Sequence, residues 1–295
     1  MIKKGKLVSL DRPERLLKKA RFYSKDMDHF LADPSGAVTV LLNVLPHADS
    51  ALLLKLIPLL GYAGKDRVLW PLYRLITDAT TDEAVSRSAA IQLGLAASLS
   101  DDTADLRDKL IENLNHPDPM VRSCCALALG WEGNVVAVDS LMAKLPDPDR
   151  DFQTAVVTAL SSMGDESVFE RLTARLEKAP RDEQRNILLN LWRFSTKRPW
   201  VEQVYLKCVK TLPSDLRLDA LAGLAMISIT PAILDAYRSL LADADPRIRL
   251  QVLESLSATD PTRYQALKEI LAGLVKDRDS RVRQAAIRLF VGTRP

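Results

Sequence analysis

Residues 118–130 read DPMVRSCCALALG, and the pattern of this stretch recurs along the whole chain. An aspartate is followed three residues later by an apolar residue, then by small apolar residues and a glycine. An aspartate in this place can accept hydrogen bonds from the free N–H groups that begin a helix, and proline is tolerated at the first helical position. The stretch therefore predicts one short helix that begins directly after Asp118.

The apolar position three residues after the aspartate recurs in eight copies, at intervals of 31 to 36 residues. The eight positions are Leu52, Val85, Val121, Phe152, Gln184, Leu216, Ile248 and Val282. Each copy is preceded by a segment with apolar residues at three- and four-residue steps, as in 68–76 and 267–275, which predicts a first helix in every repeat. Eight helix pairs at this period indicate a stacked repeat array in place of two globular domains.

The predicted ends of the second helices follow from aspartate and glycine. Six copies carry a capping aspartate, and these are Asp49, Asp82, Asp118, Asp149, Asp245 and Asp279. The fifth and sixth copies have Arg181 and Pro213 in that position. Gly61, Gly94 and Gly130 share one offset in the first three copies, and we expect each to end its helix in the left-handed conformation that glycine tolerates.

Composition narrows the class of protein. Hydrophobic residues make up 47% of the chain and aromatic residues 5%, so we expect a core of Leu, Val, Ile and Ala. No apolar run approaches the roughly 20 residues that span a bilayer, and the N-terminus lacks the apolar run of a signal peptide, so the expected location is the cytoplasm. Three cysteines are expected as free thiols, and three solitary histidines have no neighbouring ligands. We therefore expect no metal site, no cofactor and no catalytic residue.

Charge is concentrated at the two ends of the chain. Residues 1–25 carry nine Lys and Arg against two acids, residues 263–295 carry eight against three, and the whole chain has a net charge of +3. We predict that residues 1–34 form a basic N-terminal helical cap ahead of an array over residues 35–295. Two interpretations of residues 1–25 stay open: a cover for the first repeat, or a docking element for an acidic partner or an anionic membrane surface.

These features resemble the HEAT repeat family. Residues 118–130 follow its Asp-x-x-Val-Arg-x-x-Ala-Ala-x-Ala-Leu-Gly signature, and residues 245–249 and 279–286 follow the first half of it. The resemblance implies an all-α, right-handed αα superhelix of about eight helix pairs, with the second helices lining a concave face. In this family, Asp and Arg of neighbouring repeats form a polar ladder. The resemblance therefore implies a structural role for Asp118, Arg122, Asp245, Arg249, Asp279 and Arg283.

On the second helices, residues two, three and six beyond the apolar position are expected to point into the concave face. The residues that we predict to contact a partner there are Arg87, Ile91, Leu127, Asn186, Asn190, Leu218, Leu250 and Glu254. The row mixes polar and apolar side chains, its charges nearly balance, and it contains no aromatic residue. This composition favours a non-catalytic scaffold or adaptor that binds a partner protein or an extended peptide along the face.

Other classes of HEAT-like protein provide the alternatives. A nucleic-acid groove would need about one cation per repeat, and HEAT-like alkylpurine DNA glycosylases also use tryptophans and an aspartate, for which Trp192, Arg193 and Asp219 are partial counterparts. HEAT-like bilin lyases have no short motif by which to exclude them. HEAT-type metal-dependent hydroxylases carry repeated His-Glu pairs, and this chain contains no His-Glu dipeptide.

Overall fold

The computed structural model describes residues 13–194 and 198–292, and all regular secondary structure within these ranges is helical. The chain divides into two compact units, residues 1–163 and residues 164–295. Of the predicted N-terminal cap, residues 1–12 lie outside the described ranges. No helix in the described part of the chain has the length and apolar character needed to cross a membrane.

Among its described residues the first unit contains ten α-helices: α1 (Pro13–Tyr23), α2 (Met27–Ala32), α3 (Pro34–Val44), α4 (Ser50–Ala63), α5 (Leu69–Thr77), α6 (Glu83–Ser98), α7 (Ala104–Glu112), α8 (Pro119–Glu132), α9 (Val138–Met142) and α10 (Arg150–Ser162). The described part of the second unit contains eight: α11 (Glu166–Leu176), α12 (Arg181–Asn190), α13 (Arg198–Thr211), α14 (Ser214–Leu224), α15 (Pro231–Leu240), α16 (Pro246–Ser257), α17 (Lys268–Leu274) and α18 (Ser280–Gly292).

The helices form the eight predicted pairs, from α3 with α4 to α17 with α18. The all-α, HEAT-type architecture predicted from the sequence is thereby confirmed. In the first unit α4, α6, α8 and α10 pack in series, and in the second unit α12, α14, α16 and α18 do the same. Helix α1 packs against α3 of the first repeat. Apolar residues fill the seams, and Val85, Phe152, Ile248 and Val282 of the repeating position are fully buried.

The shortest first helices are α9 and α17, with five and seven residues. A 3-10 segment, Val135–Ala137, precedes α9, and another, Pro261–Leu267, precedes α17. In both places an acceptor side chain begins the tight turn, because Asn134 binds the N–H of Val136 at 3.0 Å and Asp260 binds the N–H of Thr262 at 2.9 Å. These local hydrogen bonds compete with the start of an α-helix.

The capping prediction is confirmed for all six aspartates. Each accepts a hydrogen bond from a backbone N–H in the first turn of its second helix, at 2.8 to 3.0 Å. Helices α12 and α14 begin after Pro180 and Pro213 and have no side-chain hydrogen bond at the cap. The two repeats that depart from the sequence pattern therefore also lack its capping interaction.

The prediction that Gly61, Gly94 and Gly130 end their helices is wrong. All three lie inside helices, and the left-handed residue that ends α8 is Gly133, at φ +75°. They are contact points between successive second helices. A Cβ added at Gly94 would lie 2.4 Å from the Ala128 carbonyl oxygen, and one at Gly130 would lie 2.4 Å from the Cα atom of Ala159. The missing side chain lets neighbouring helices approach until their backbones touch.

Arginines of the second helices bind aspartates of the following repeat, two residues ahead of the capping position. Arg249 donates to both carboxylate oxygens of Asp277, at 2.9 and 2.7 Å, whereas Arg217 donates through one nitrogen to one carboxylate oxygen of Asp243. Asp277 also accepts the N–H of Asp279 at 2.8 Å. One carboxylate therefore stabilises its own loop and joins two repeats.

The remaining residues of the predicted ladder make mainly local contacts. Arg122 donates to the carbonyl oxygen of His116 at 3.0 Å, and its nearest carboxylate oxygen belongs to Asp147, at 3.7 Å. Arg283 donates to the carbonyl oxygens of Asp277 and Arg278, at 2.8 and 3.0 Å. The aspartates of the predicted ladder, Asp118, Asp245 and Asp279, act as helix caps.

Replacing Gly130 with alanine is expected to destabilise the first unit. Overpacking against the backbone of α10 costs about 1–3 kcal/mol, and this exceeds the gain of up to about 1 kcal/mol in helix propensity. The matched control is Gly273→Ala in α17, where an added Cβ meets nothing within 4 Å and should stabilise slightly. Urea unfolding of both variants measures the effect, and a Gly130→Ala variant as stable as the wild type would contradict the proposed close contact.

Removing the Asp277 carboxylate by Asp277→Ala is expected to lower the free energy of unfolding by about 2–3 kcal/mol, because hydrogen bonds between charged groups are lost at a site shielded from solvent. The side chains of Arg249 and Asp277 are only 12% and 8% exposed. For comparison, Asp235→Ala removes the exposed pair with Arg238 and should cost no more than about 1 kcal/mol. Equal losses in the two variants, measured by thermal unfolding, would show that burial of the pair does not matter.

Lowering the pH is expected to reduce the stability of the second unit through protonation of Asp279. The Arg281 guanidinium, together with the N–H groups of Val282 and Arg281, lowers the pKa of Asp279 to about 2 with burial opposing the shift. Because the folded pKa is depressed, this stabilisation is present above the ordinary pKa of about 3.9 and is lost as the pH falls towards 2. The stability difference between the wild type and Asp279→Asn should therefore shrink between pH 5 and pH 2, as followed by urea midpoints. A difference that stays constant with pH would refute this account.

Candidate functional site

The candidate site is the second-helix face, which we define as the residues two and six positions beyond the repeating apolar position. Apart from Ser123 and Asn190, which are buried, the side chains at these positions are half-buried or exposed. Residues three positions beyond were also expected on this face, but Cys124, Ala155 and Asp219 are buried. Lys55, Ser88 and Gln251 at the same position stay accessible. Close helix spacing therefore draws the third position into the seam in some repeats and not in others.

In the first unit, Arg87, Ile91 and Leu127 lie half-buried on α6 and α8. The Nε atom of Arg87 donates to Glu83 on the same helix at 2.9 Å, with both side chains largely open to solvent. Leu54 on α4 extends the row and is 39% exposed. The structure thus brings one cation and several aliphatic side chains onto a single half-open surface of this unit.

In the second unit, Asn186, Leu218 and Leu250 are half-buried and Glu254 is exposed. Asn190 is only 5% exposed. Its amide donates to the carbonyl oxygen of Asn186 at 2.9 Å and accepts from Arg193 at 3.1 Å. The face of this unit therefore presents two half-buried leucines. Asn190 lies beneath the surface and is held there by its hydrogen bonds with Asn186 and Arg193.

Two aromatic residues near this face were not among those predicted to contact a partner, and Trp131 was expected to pack at a repeat junction. Tyr62 is 73% exposed and Trp131 is 42% exposed, and each lies four residues beyond the sixth position, on α4 and α8. Each directly follows one of the contact glycines, Gly61 and Gly130. That shared position after a glycine is the sequence signal that could have found them.

The cysteines have the properties of packing residues. Burial raises the pKa of the Cys124 thiol to about 12 and that of Cys208 to about 11, and it raises the pKa of Cys125 further still. A thiol must be deprotonated to act as a nucleophile or a metal ligand. At neutral pH these three groups are therefore neutral thiols inside the helices. Across the described ranges, no group of three or more His, Cys, Asp and Glu is arranged to hold a metal ion.

The partial counterparts of a glycosylase site are already engaged with other groups. The Arg193 guanidinium lies over the ring of Trp192, 4.6 Å from its centroid, and the indole N–H donates to the carbonyl oxygen of Leu189 at 2.9 Å. Asp219 is buried and lies 3.3 Å from Arg185, and desolvation raises the pKa of its carboxyl group. The indole face is thus covered by a cation.

Comparison with solved structures finds helical proteins of similar length. The complex of CpcE and CpcF of phycocyanin lyase from Nostoc sp. PCC7120 aligns at 18% identity over 87% of this chain and 94% of that chain, with a TM-score of 0.41. Human deoxyhypusine hydroxylase in complex with glycerol aligns at 16% identity over 95% of this chain and 97% of that chain, with a TM-score of 0.35. No curated protein sequence matches the chain.

The family comparison identifies the repeats directly. The model of HEAT repeats matches three overlapping or successive segments, residues 76–152, 107–192 and 204–290. These matches cover most of the chain and include seven of the eight second helices, from α6 to α18. Together with the paired helices and the capping aspartates, they show that the chain belongs to the HEAT repeat family.

Proposed function

We propose that this protein is a non-catalytic scaffold that binds a partner protein or an extended peptide through its second-helix face. The observation that carries the proposal is the half-open state of that face. Most of its side chains remain accessible in both units, while the residue four positions beyond the repeating position is buried in every repeat. Side chains of the second-helix face that are neither fully packed nor fully solvated are available to form an interface with a partner.

The composition of the face suits protein recognition. Ile91 and Leu127 in the first unit, and Leu218 and Leu250 in the second, supply aliphatic surface, while Arg87 and Glu254 supply charges of opposite sign. Protein interfaces combine an apolar centre with a polar rim. Helices about 8–10 Å apart place the outermost second helices of one unit about 24–30 Å apart. That span accommodates a peptide or a partner helix without a deep pocket.

Two parts of the proposal concern location and the N-terminus. We propose that the protein acts in the cytoplasm and that residues 1–34 cap the first repeat. The contact of α1 with α3 supports the capping role. The alternative, in which residues 1–25 dock on an anionic membrane surface, relies in part on residues 1–12, which lie outside the described ranges.

The electrostatics of the face give little support to nucleic-acid binding. Among the described residues at these positions, the first unit carries the cation Arg87, and the second unit carries the cation Arg288 together with the opposite charge of Glu254. Affinity for a phosphate backbone depends on several such cations acting together. Binding of a protein partner should accordingly show a shallow dependence on salt.

Charge reversal on the face is expected to weaken partner capture without unfolding the protein. Arg87→Glu and Glu254→Arg should each reduce affinity for a captured partner about tenfold, because each places a like charge against the partner's complementary group. Partners are first captured from native extract with the wild-type chain. Affinity is then measured with the purified partner by fluorescence anisotropy, and thermal unfolding verifies the fold.

Matched controls are available on the first helices of the same units. Arg74→Glu on α5 and Glu269→Arg on α17 make the same charge changes at exposed positions away from the face. The proposal requires that these two variants bind normally. It fails if all four variants bind every partner as the wild type does, or if the purified chain binds DNA with an affinity that falls steeply with salt.

A further inference from the structure

A second unusual surface lies at one edge of the first unit, where loops join successive repeats. The loop after α6 exposes Leu99, and the end of α8 with the following loop exposes Trp131, Val135 and Val136. Their exposed fractions are 79%, 42%, 59% and 64%. Single exposed apolar side chains are ordinary on a protein surface, whereas a cluster at one edge marks an interaction site.

A buried polar cluster holds these two loops side by side. One carboxylate oxygen of Glu132, at the end of α8, accepts from the Thr103 hydroxyl at 3.1 Å and from two nitrogens of Arg107 at 2.9 and 2.6 Å. Thr103 and Glu132 are 7% and 9% exposed, and Arg107 lies in the first turn of α7. The segment after Leu99 is thus fixed beside the segment after Trp131, and the apolar residues of both loops belong to one surface.

The same edge is strongly acidic. Residues 98–106 and 131–143 contain five acids and no Lys or Arg, and the acids are Asp101, Asp102, Asp105, Glu132 and Asp139. Arg107 neutralises Glu132, whereas the side chains of the four aspartates are exposed. The carbonyl ends of α6 and α8 point to this edge and add partial negative charge. Exposed carboxylates, including those of Asp101 and Asp102, therefore accompany the exposed apolar residues at this edge.

We propose that this surface, the acidic edge of Leu99, Asp101, Asp102, Trp131, Val135 and Val136, binds a partner segment in which Lys or Arg side chains flank bulky apolar ones. The apolar side chains would cover Trp131 and the neighbouring aliphatic groups, which form the anchor of the site. The cations would face Asp101 and Asp102, which set orientation and speed of association. Trp131 lies near the second-helix face, but none of the six residues occupies a position by which that face is defined, so this proposal stands independently of the proposed function.

Selection from a phage library of random 12-residue peptides on the full-length chain tests the chemistry of the partner. Enriched peptides should carry an excess of Lys and Arg beside Trp, Phe, Leu or Ile. Synthetic copies of them are then titrated by fluorescence anisotropy against the wild type, Trp131→Ala and the double variant Asp101→Lys/Asp102→Lys. Each variant should bind at least tenfold more weakly, and the wild-type affinity should fall as salt is raised.

The control is Glu170→Lys/Glu269→Lys, which makes the same charge change at exposed positions of the second unit and should bind the peptides normally. Arg87→Glu should also bind them normally, so failure at this edge is distinguishable from failure of the second-helix face. Asp101 and Asp102 are exposed, so the double variant remains informative even if Trp131→Ala unfolds. Acidic or absent consensus peptides, or equal binding by the double variant, would overturn the proposal. A wild-type dimer that only the edge variants abolish would do so as well, in favour of self-association.

Discussion

The first unit depends on backbone contact between successive second helices. Gly94 meets the backbone of α8 and Gly130 meets that of α10, at separations where no side chain fits. Helix spacing at these points fixes which residues are buried, because a seam this narrow encloses Cys124 and Ala155 and leaves only the flanking positions accessible. In the first unit, the half-open face used in the proposed function is therefore a consequence of the glycine contacts.

The second unit achieves the same stacking by different means. Its helical glycine Gly223 accommodates the ring of Tyr205 at a tight contact. The Tyr205 hydroxyl donates to the Leu188 carbonyl at 2.7 Å and accepts from the backbone N–H of Trp192 at 3.0 Å. Arg217 and Arg249 then reach aspartates of the following repeat. Polar hydrogen bonds across the repeats replace backbone contact, and such bonds depend more on pH than glycine packing does.

Local signals were sufficient to predict most of the architecture. The period of the apolar position and the capping aspartates act within one repeat, so the eight second helices could be placed from sequence. The role of the glycines could not, because a glycine nine residues beyond the repeating apolar position suits either a helix end or a close contact. Only the position of the neighbouring helix distinguishes the two. Asn134 and Asp260 shortened their helices through hydrogen bonds that lie outside any helical periodicity.

The candidate sites were predicted less completely than the fold. Asp277 is visible in the sequence two residues ahead of a capping aspartate, but its partner Arg249 comes from the preceding repeat, and the pairing follows from stacking geometry. The exposure of the Trp131 side chain could not be predicted from the sequence pattern either. A tryptophan at a repeat junction ordinarily packs inward, and here the preceding glycine contact places it at the surface. Side chains at repeat boundaries depend on two repeats at once, which a periodic pattern does not specify.

The buried thiols give each unit a built-in reporter of its own opening. Cys124 and Cys125 lie in the first unit and Cys208 in the second, and all three are protonated and shielded while the helices are packed. An alkylating reagent can reach them only after the surrounding helices separate, since the thiolate is the reactive form. The cysteines that are labelled after a brief exposure to the reagent would therefore show which unit opens first. No probe has to be added to the chain.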